Sequence, residues 1–206
     1  PAAVSMIVIP DLRLEKKLWQ SGLLRIAGMD EAGRGALAGP VTVGAVILPN
    51  DSHLTRTLRG VRDSKQMTPL QRTRWAVTIK AIARAWSLGC ASADEIDSLG
   101  IAPATRLAAE RALEALSPAP EFLLTDFNLK PDTGIPFTSI IKGDQKSLTI
   151  AAASVLAKTA RDALMCELDA QYPGYGLARH KGYGTAIHRV ALERLGYSLI
   201  NRKTFT

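Results

Sequence analysis

Short runs of apolar and β-branched residues, each bounded by Gly, Pro or charged residues, recur along the chain. Runs of this length and composition are typical of strands that are buried on both faces. They predict strands over residues 23–29, 41–48, 121–125 and 137–141, and residues 86–92 could continue as a further strand. The first two runs stand close together in the sequence and are expected to form a strand pair.

Other segments have helical spacing of their apolar residues. Thr68, Pro69 and Gln71 form an N-terminal helix signature, with Thr68 as the cap and Gln71 completing a capping box. One face of this helix is expected to pack in the core, and it comprises Trp75, Ile79, Ile82 and Trp86. Further helices are predicted over residues 103–116, 147–168 and 185–195. Since helices and strands alternate after the early strand pair, we expect a mixed α/β sheet with helices packed on it.

Length and composition limit the class of protein. The 206 residues fit one domain spanning residues 1–206. A net charge of +7 favours a polyanionic partner such as a nucleic acid. No apolar run approaches the roughly 20 residues that span a bilayer, and the first ten residues lack the features of a signal peptide. We therefore expect a cytoplasmic protein without a membrane partner, in which Cys90 and Cys166 are buried free thiols.

Carboxylates follow three of the predicted strands. Asp30 and Glu31 follow the first strand, Asp126 follows the third, and Asp144 lies just after the fourth. If these strands are neighbours, their acids converge at one edge of the sheet. Such acids would raise one another's pKa unless a cation joined them, and Mg²⁺ or Mn²⁺ suits an all-oxygen ligand set.

The chemistry of such a site depends on whether the acids act together. Two divalent cations about 4 Å apart can activate a water and stabilise the leaving oxygen in phosphodiester hydrolysis. Taken singly, Asp126 and Asp144 could each be ordinary turn residues. Their matched position after strands, beside the loop Gly33-Arg34-Gly35, favours a functional site. The two glycines leave the backbone around Arg34 open to close approach by a ligand.

Ordered motifs extend over almost the whole chain. They are Asp30-Glu31-Ala32-Gly33-Arg34-Gly35, Gly39-Pro40, Asp63-Ser64-Lys65, Leu123-Leu124-Thr125-Asp126, Lys142-Gly143-Asp144, Ala151-Ala152-Ala153-Ser154-Val155-Leu156-Ala157-Lys158, Arg161-Asp162, Tyr175-Gly176, His180-Lys181-Gly182-Tyr183-Gly184-Thr185, His188 and Asn201-Arg202-Lys203-Thr204-Phe205. In this order they closely resemble the motifs of bacterial ribonuclease HII, and the resemblance covers residues 24–206.

The resemblance implies a ribonuclease H-like fold, with a five-stranded mixed sheet flanked by helices. It also implies a C-terminal helical part over roughly residues 170–206 that helps to bind substrate. The implied enzyme is a monomeric endonuclease that cuts the RNA strand of RNA–DNA hybrids. It would also nick duplex DNA on the 5′ side of a single embedded ribonucleotide, leaving a 3′-hydroxyl and a 5′-phosphate.

The resemblance also implies roles for individual residues. The metal-binding and catalytic acids would be Asp30, Glu31, Asp126 and Asp144. The loop Gly33-Arg34-Gly35 would sense the ribose 2′-OH, and Tyr183 would stack on the sugar of the next deoxynucleotide. Phosphate contacts are expected from Lys65, Lys146, Lys181 and Arg34, although each lysine alone could be an ordinary surface residue. His180 and His188 could be bases, but two metal ions would make a histidine base unnecessary, and we expect structural or backbone-contact roles.

Two departures and several alternatives remain. The family usually has Gly after the third acid, where this chain has Phe127, and a smaller residue where it has Gln145. With only 29 residues before Asp30, the related type HIII enzymes, which carry a long N-terminal domain, are a less suitable match. A nuclease of this fold acting on DNA alone would need no ribose sensor. A non-catalytic binding module would gain nothing from acids placed near phosphates.

Overall fold

The computed structural model describes residues 8–205. We expected no signal peptide in the first ten residues, and most of that segment lies outside the described residues. Five strands form one sheet in the order β3-β2-β1-β4-β5. They are β1 (Ile26–Ala32), β2 (Val41–Ile47), β3 (Ala85–Ala91), β4 (Phe122–Asp126) and β5 (Phe137–Ile140). The predicted five-stranded mixed sheet is confirmed.

The pairing of the strands places the predicted acids at one edge. Strand β2 runs antiparallel to both β1 and β3. Strand β1 is parallel to β4, with Met29 opposite Thr125, and β4 is parallel to β5, with Asp126 opposite Ile140. The carboxyl ends of β1, β4 and β5 therefore lie side by side.

Eight α-helices are seen within residues 8–205. They are α1 (Arg13–Gln20), α2 (Leu54–Thr57), α3 (Pro69–Ile82), α4 (Ala93–Leu99), α5 (Ile101–Glu114), α6 (Leu148–Gln171), α7 (Leu177–His180) and α8 (Ala186–Leu195). Short 3₁₀ turns occupy Ser64–Gln66, Gly143–Gln145 and Lys203–Phe205. Helices α3 and α6 share a core with one face of the sheet, and α5 packs on the other face. None of the helices in the described part of the chain is long and apolar enough to cross a membrane.

Helix α3 confirms its predicted start and corrects its predicted end. Thr68 and Gln71 form the capping box, and Pro69 occupies the first turn. The helix stops at Ile82, because the following residues pair with β2 as strand β3. Trp86 therefore lies on that strand, where it is 38% exposed and Lys80 Nζ lies 4.3 Å from its ring centroid. Our expectation that Trp86 is a core residue of this helix is wrong.

Helix α6 lies very close to the sheet because small residues meet at the contact. Its residues Ala151, Ala152 and Ala153 are fully buried. A Cβ at Gly28 on β1 would lie 2.3 Å from the Thr149 carbonyl carbon, so only glycine fits there. This close contact fixes the position of the helix that runs beside the acidic edge.

The C-terminal helices form a separate small core with the loop that follows β1. Leu37 and Ala38 of that loop pack with side chains from α6, α7 and α8. The two cysteines lie outside these cores: Cys90 and Cys166 are free and exposed. The expectation of buried thiols is therefore wrong, and for Cys90 the reason is its position on the exposed face of edge strand β3.

Candidate active site

The four predicted acids come to the same edge of the sheet. Asp30 and Glu31 lie near the end of β1, and Asp126 is the last residue of β4. Asp144 lies in the 3₁₀ turn just after β5, and the turn begins after Lys142, which has a left-handed backbone conformation. The backbone N–H of Gly143 donates to Asp126 Oδ1 at 2.8 Å, which ties the ends of β4 and β5 together.

Burial and mutual repulsion act on these carboxyl groups. Burial, and then the charge of Glu31, raises the pKa of Asp30 well above its usual value. Burial also raises the pKa of Glu31, although Arg34 opposes the change. Burial, with Asp63 and Asp126, raises the pKa of Asp144 to about 6. The acids therefore form one electrostatic cluster, in which ionisation of one group opposes ionisation of the next.

The chemistry of this cluster fits a divalent cation. Every available ligand is a carboxylate oxygen, the type that Mg²⁺ and Mn²⁺ prefer. Glu31 Oε2 is buried without a hydrogen-bond partner in the described chain, so the fold leaves one acceptor unused. Among residues 8–205 no group of three or more His, Cys, Asp and Glu side chains is already placed to hold a metal ion together. Binding an ion would thus require these carboxylates to turn toward one another.

A cleft of about 470 Å³ opens beside the acids. Its lining comprises Asp30, Glu31, Ala32, Gly33, Arg34, Gly35, Ser64, Lys65, Arg72, Ser154, Lys158 and Tyr183. Asp126 and Asp144 lie next to this cleft rather than in its lining, and they act on Asp30 through their charge. The structure thus places the predicted loop, the predicted tyrosine and two of the acids around a single space.

Lys65 is the predicted lysine that the structure brings to the acids. Burial acts to lower the pKa of Lys65, but four nearby carboxylates, those of Asp30, Asp63, Asp144 and Glu31, leave the pKa raised. Asp63 also caps the turn that carries the lysine, accepting from the Lys65 backbone N–H at 2.9 Å. The Lys65 ammonium group is therefore held in the cleft, where it can bind a phosphate.

The other two predicted lysines lie elsewhere. Lys146 is exposed and does not line the cleft. The Lys181 ammonium lies in a neighbouring groove between α6 and α7, where it contacts Cys166 Sγ at 3.0 Å and donates to the carbonyl of Ala178. Their roles as phosphate contacts remain predictions.

Tyr183 and Arg34 both line the cleft. The Tyr183 ring has Lys158 Nζ at 5.2 Å and Arg161 Cζ at 5.4 Å from its centroid. Arg34 Nη1 lies 3.9 Å from Glu31 Oε1 and 3.5 Å from the carbonyl oxygen of Asn128. The arginine therefore connects the first acids to the turn that follows Asp126.

Both C-terminal histidines are buried away from the cleft lining. His180 and His188 stack with ring centroids 4.3 Å apart. The Gly182 N–H donates to His180 Nδ1, so His180 Nε2 donates to the carbonyl of Tyr175 at 2.8 Å. His188 Nδ1 lies 3.0 Å from the carbonyl oxygen of Tyr183, so both histidines contact the backbone, as expected for structural roles.

The two departures from the family pattern leave the acids in place. Phe127 is 47% exposed, with Lys130 Nζ 5.6 Å from its ring centroid, and Asp126 keeps its bond from Gly143. Gln145 lies in the turn of Asp144, where its backbone N–H donates to the carbonyl of Lys142 at 3.1 Å.

Sequence reasoning assigned no role to several residues that line or support the cleft. The Ser64 and Ser154 hydroxyls lie 2.9 Å apart. Arg72 and Lys158 both pair with Asp162, at 3.0 Å and 2.7 Å. Four of these five residues belong to the motifs quoted above, and that membership was the available sequence signal. Arg72 lies outside the motifs, so the sequence carried no signal for it.

A model of one protein family matches residues 27–206, and the family is described as Ribonuclease HII. A ribonuclease HII of Thermus thermophilus is 54% identical over 192 residues, which cover 93% of this chain and 91% of that protein. A ribonuclease HII from an Anaeromyxobacter species is 53% identical over 194 residues, or 94% of this chain. This chain spans 60% of the length of that second relative.

Solved structures have the same architecture. The ribonuclease HII in a complex with PCNA from Archaeoglobus fulgidus has a TM-score of 0.73 and 27% identity, covering 89% of this chain and 96% of that one. A ribonuclease HIII, Bst-RNase HIII, solved in complex with Mn²⁺, has a TM-score of 0.66 and 20% identity, with coverage of 89% and 67%. At that identity the second structure supports the fold alone.

Proposed function

The chain belongs to the ribonuclease HII family, and from that premise we propose its substrates and mechanism. Membership makes it a ribonuclease H endonuclease, and therefore a hydrolase. The proposed substrates are RNA–DNA hybrids, cut in the RNA strand, and duplex DNA with a single embedded ribonucleotide, nicked on its 5′ side. The products carry a 3′-hydroxyl and a 5′-phosphate.

The observation that carries this proposal is the arrangement of acids and loop around one cleft. Asp30 and Glu31 share the cleft with residues 33–35, and Asp126 and Asp144 lie at the ends of the adjacent strands. Recognition and cutting can therefore take place on neighbouring atoms of one nucleotide. All the proposed groups come from a single chain, so a monomer is sufficient.

Asp30, Glu31, Asp126 and Asp144 are the residues that would hold Mg²⁺ or Mn²⁺. When bound, two such ions supply water activation and stabilisation of the leaving oxygen. The free oxygen of Glu31 and the raised pKa values of Asp30 and Asp144 support this role, since a cation would favour the ionised carboxylates.

The cations of the cleft position the substrate backbone. Lys65 is held among the acids by their charge, so its ammonium can bind a phosphate oxygen next to the cut. Such contacts fix the register of the duplex without reading its sequence. Lys146, Lys181 and the C-terminal part over residues 170–206 would contact the duplex farther from the cut.

The ribose is read by the loop and the tyrosine. Only the 2′-OH distinguishes RNA from DNA at one nucleotide, so discrimination needs a donor or acceptor at that oxygen. Residues 33–35 offer backbone groups with little side-chain cover, and Arg34 stands between them and Glu31. The half-buried ring of Tyr183 would lie flat against the next sugar, where a 2′-OH would obstruct it.

The test is cleavage of a DNA duplex that contains one ribonucleotide, with Mg²⁺ or Mn²⁺, beside the same duplex without the ribonucleotide. We expect a single nick on the 5′ side of the ribonucleotide and none in the control. Equal cutting of both duplexes would show a DNA nuclease of the same fold. Binding without cutting of either duplex would show a non-catalytic module.

A further inference from the structure

Two arginines behind the cleft are fully buried, and neither pairs with a carboxylate of the described chain. Arg161 and Arg202 each have 0% exposure. Burial, and then the charge of Arg161, lowers the pKa of Arg202 to about 9, which leaves it charged at neutral pH. Burying a charge without an ionic partner is costly unless other groups compensate it. The contacts of these guanidinium groups therefore show what compensates them.

Arg202 is surrounded by carbonyl oxygens of the loop that follows β1. Its Nη2 donates to the carbonyl of Gly33 at 2.8 Å and its Nη1 to that of Arg34 at 2.9 Å. Its Nε donates to the carbonyl of Gly39 at 2.9 Å. One side chain thus holds both ends of the segment 33–40.

Arg161 completes the arrangement from helix α6. Its Nε donates to the carbonyl of Pro40 at 2.8 Å, and its Nη2 to that of Ala38 at 3.0 Å. Its Nη1 donates to the carbonyl of Lys181 at 2.8 Å, two residues before Tyr183. We call these two guanidinium groups, with the six carbonyls they hold, the carbonyl clamp.

The carbonyl clamp determines which way the loop amides point. In a planar trans peptide the C=O and the following N–H point in opposite directions. Because the carbonyls of Gly33 and Arg34 point at Arg202, the N–H groups of Arg34 and Gly35 point away from it. Within the described chain neither amide donates to a protein group, and both residues line the cleft.

The C-terminal segment holds Arg202 in place. The Arg202 N–H donates to the carbonyl of Leu37 and the Gly39 N–H to that of Ile200, each at 2.8 Å. Asn201 Oδ1 accepts from both the backbone N–H and the hydroxyl of Ser198 at 2.7 Å. The segment 198–202 is thus bonded along the loop that it supports.

We propose that Arg161 and Arg202 are positioning residues for ribose recognition, which fix segment 33–40 so that the Arg34 and Gly35 amides face the cleft as donors. The proposal rests on the proposed function of that loop. It adds that the donors are arranged from behind by two buried cations, and that Tyr183 shares this support through the ring contact with Arg161. A scaffold role alone would not require each guanidinium nitrogen to meet a carbonyl of the loop or of the turn before Tyr183.

The first test measures the order of the loop without substrate. Arg202→Lys keeps the charge but cannot reach three carbonyls at once. We expect hydrogen exchange of the bonded amides of this segment, those of residues 36–39, to rise about 10-fold or more, the cost of one or two charge-assisted hydrogen bonds. Exchange in β1 and α6 should stay as in the wild type. Arg194→Lys, an exposed change on α8, is the matched control.

The second test separates recognition from general binding. On a duplex with one ribonucleotide, Arg202→Lys should lower kcat/KM about 10-fold or more, the same lost bonds being the cause. Inhibition of that reaction by the all-DNA duplex should keep its wild-type Ki, because phosphate contacts are untouched. Arg161→Lys is measured in parallel and decides the matter if the first variant does not fold.

The outcomes are distinguishable. Wild-type exchange at the amides of residues 36–39 would overturn the proposal, and so would a uniform rise in exchange across the protein with a fall in kcat/KM and a parallel rise in Ki. If the wild type cuts neither duplex, the proposed function fails, and the exchange data alone then decide whether the carbonyl clamp orders the loop.

Discussion

Two regions around the cleft each bury groups of like charge, and the protein compensates these charges in different ways. At the acidic edge, burial and neighbouring charges raise the pKa of Asp30, Glu31 and Asp144, and Glu31 Oε2 lacks a partner among the described residues. Behind the loop, each nitrogen of the Arg161 and Arg202 guanidinium groups donates to a carbonyl. The first region is left for the divalent cation that we propose, whereas each guanidinium nitrogen of the second has a partner within the fold.

This difference separates function from architecture within one site. Charges that the fold leaves uncompensated destabilise the empty protein and favour a ligand. Charges that backbone carbonyls compensate hold a loop in one conformation and require no ligand. Changes in the two regions should therefore have opposite signatures in activity and stability.

Removing one acid should give the largest effect. Asp126→Asn keeps the size of the side chain and the bond from Gly143 but removes a predicted metal ligand. We expect cleavage of an RNA–DNA hybrid to fall about 10³-fold, the loss of several kcal/mol of transition-state stabilisation. Binding of the hybrid, measured by fluorescence anisotropy, should change little. Asp94→Asn, a change of an exposed side chain on α4, is the control. Full activity of Asp126→Asn would refute the metal assignment.

Adding the cation should stabilise the acidic region. At a Mg²⁺ concentration 100 times its Kd, the free energy of unfolding should rise by about 2.7 kcal/mol. Urea denaturation with and without Mg²⁺ measures this gain, and Asp126→Asn should lose most of it. If neither Mg²⁺ nor Mn²⁺ changes the free energy of unfolding of the wild type, the acids hold neither ion.

The loop offers a matched pair of glycines for the second region. At Gly33 φ is +89°, and a Cβ would lie 1.8 Å from Arg161 Nε, whereas a Cβ at Gly35 would meet nothing within 4 Å. Gly33→Ala should lower the free energy of unfolding by about 2 kcal/mol, through strain and displacement of the arginine. Gly35→Ala should leave it within about 0.5 kcal/mol. Equal thermal stability of the two variants would contradict this account of the loop.

The smallest effect is expected from titration of Asp144. Its pKa rises from 3.8 to about 6 in the folded protein, which therefore holds the proton more tightly than the unfolded chain does. The stability of the metal-free protein should thus fall as the pH rises from 3.8 to about 6. Asp144→Asn removes that loss and should be more stable at neutral pH, on the order of 1 kcal/mol given partial solvation of the carboxyl.

Denaturation in EDTA across this pH range measures the difference. The two proteins should converge at the acid end, and Asp132→Asn, an exposed change, should follow the wild type throughout. If Asp144→Asn is less stable than the wild type at neutral pH, the difference in stability has the opposite sign, and the Asp144 carboxylate stabilises the fold.

Local signals explain what could be predicted from the sequence. The capping box at Thr68 and the acids at the carboxyl ends of β1, β4 and β5 were predictable because caps and strand ends are encoded by adjacent residues. Trp86 was misplaced because pairing with β2, a tertiary contact, ended helix α3 early. The exposure of the cysteines likewise depends on which strand lies at the sheet edge.

The positions of the acidic residues of the site could be predicted from the sequence, whereas those of the lysines and arginines were harder to predict. Lys146 is only two residues from Asp144 yet lies outside the cleft lining, whereas Lys65 reaches the acids from a distant turn. The roles of Arg161 and Arg202 were not readable, since their partners are backbone carbonyls up to 169 residues away. Backbone acceptors leave no residue-type signature for a pattern to detect.

The distance between the loop and Arg202 has a consequence for the nascent protein. A ribosome synthesises Gly33 169 residues before Arg202, the side chain that holds its carbonyl. All four acids also precede Arg202 in the order of synthesis. During translation the chain therefore carries all four acids before the side chain that fixes segment 33–40, and under the proposed function discrimination between RNA and DNA would be the last property of the site to be acquired.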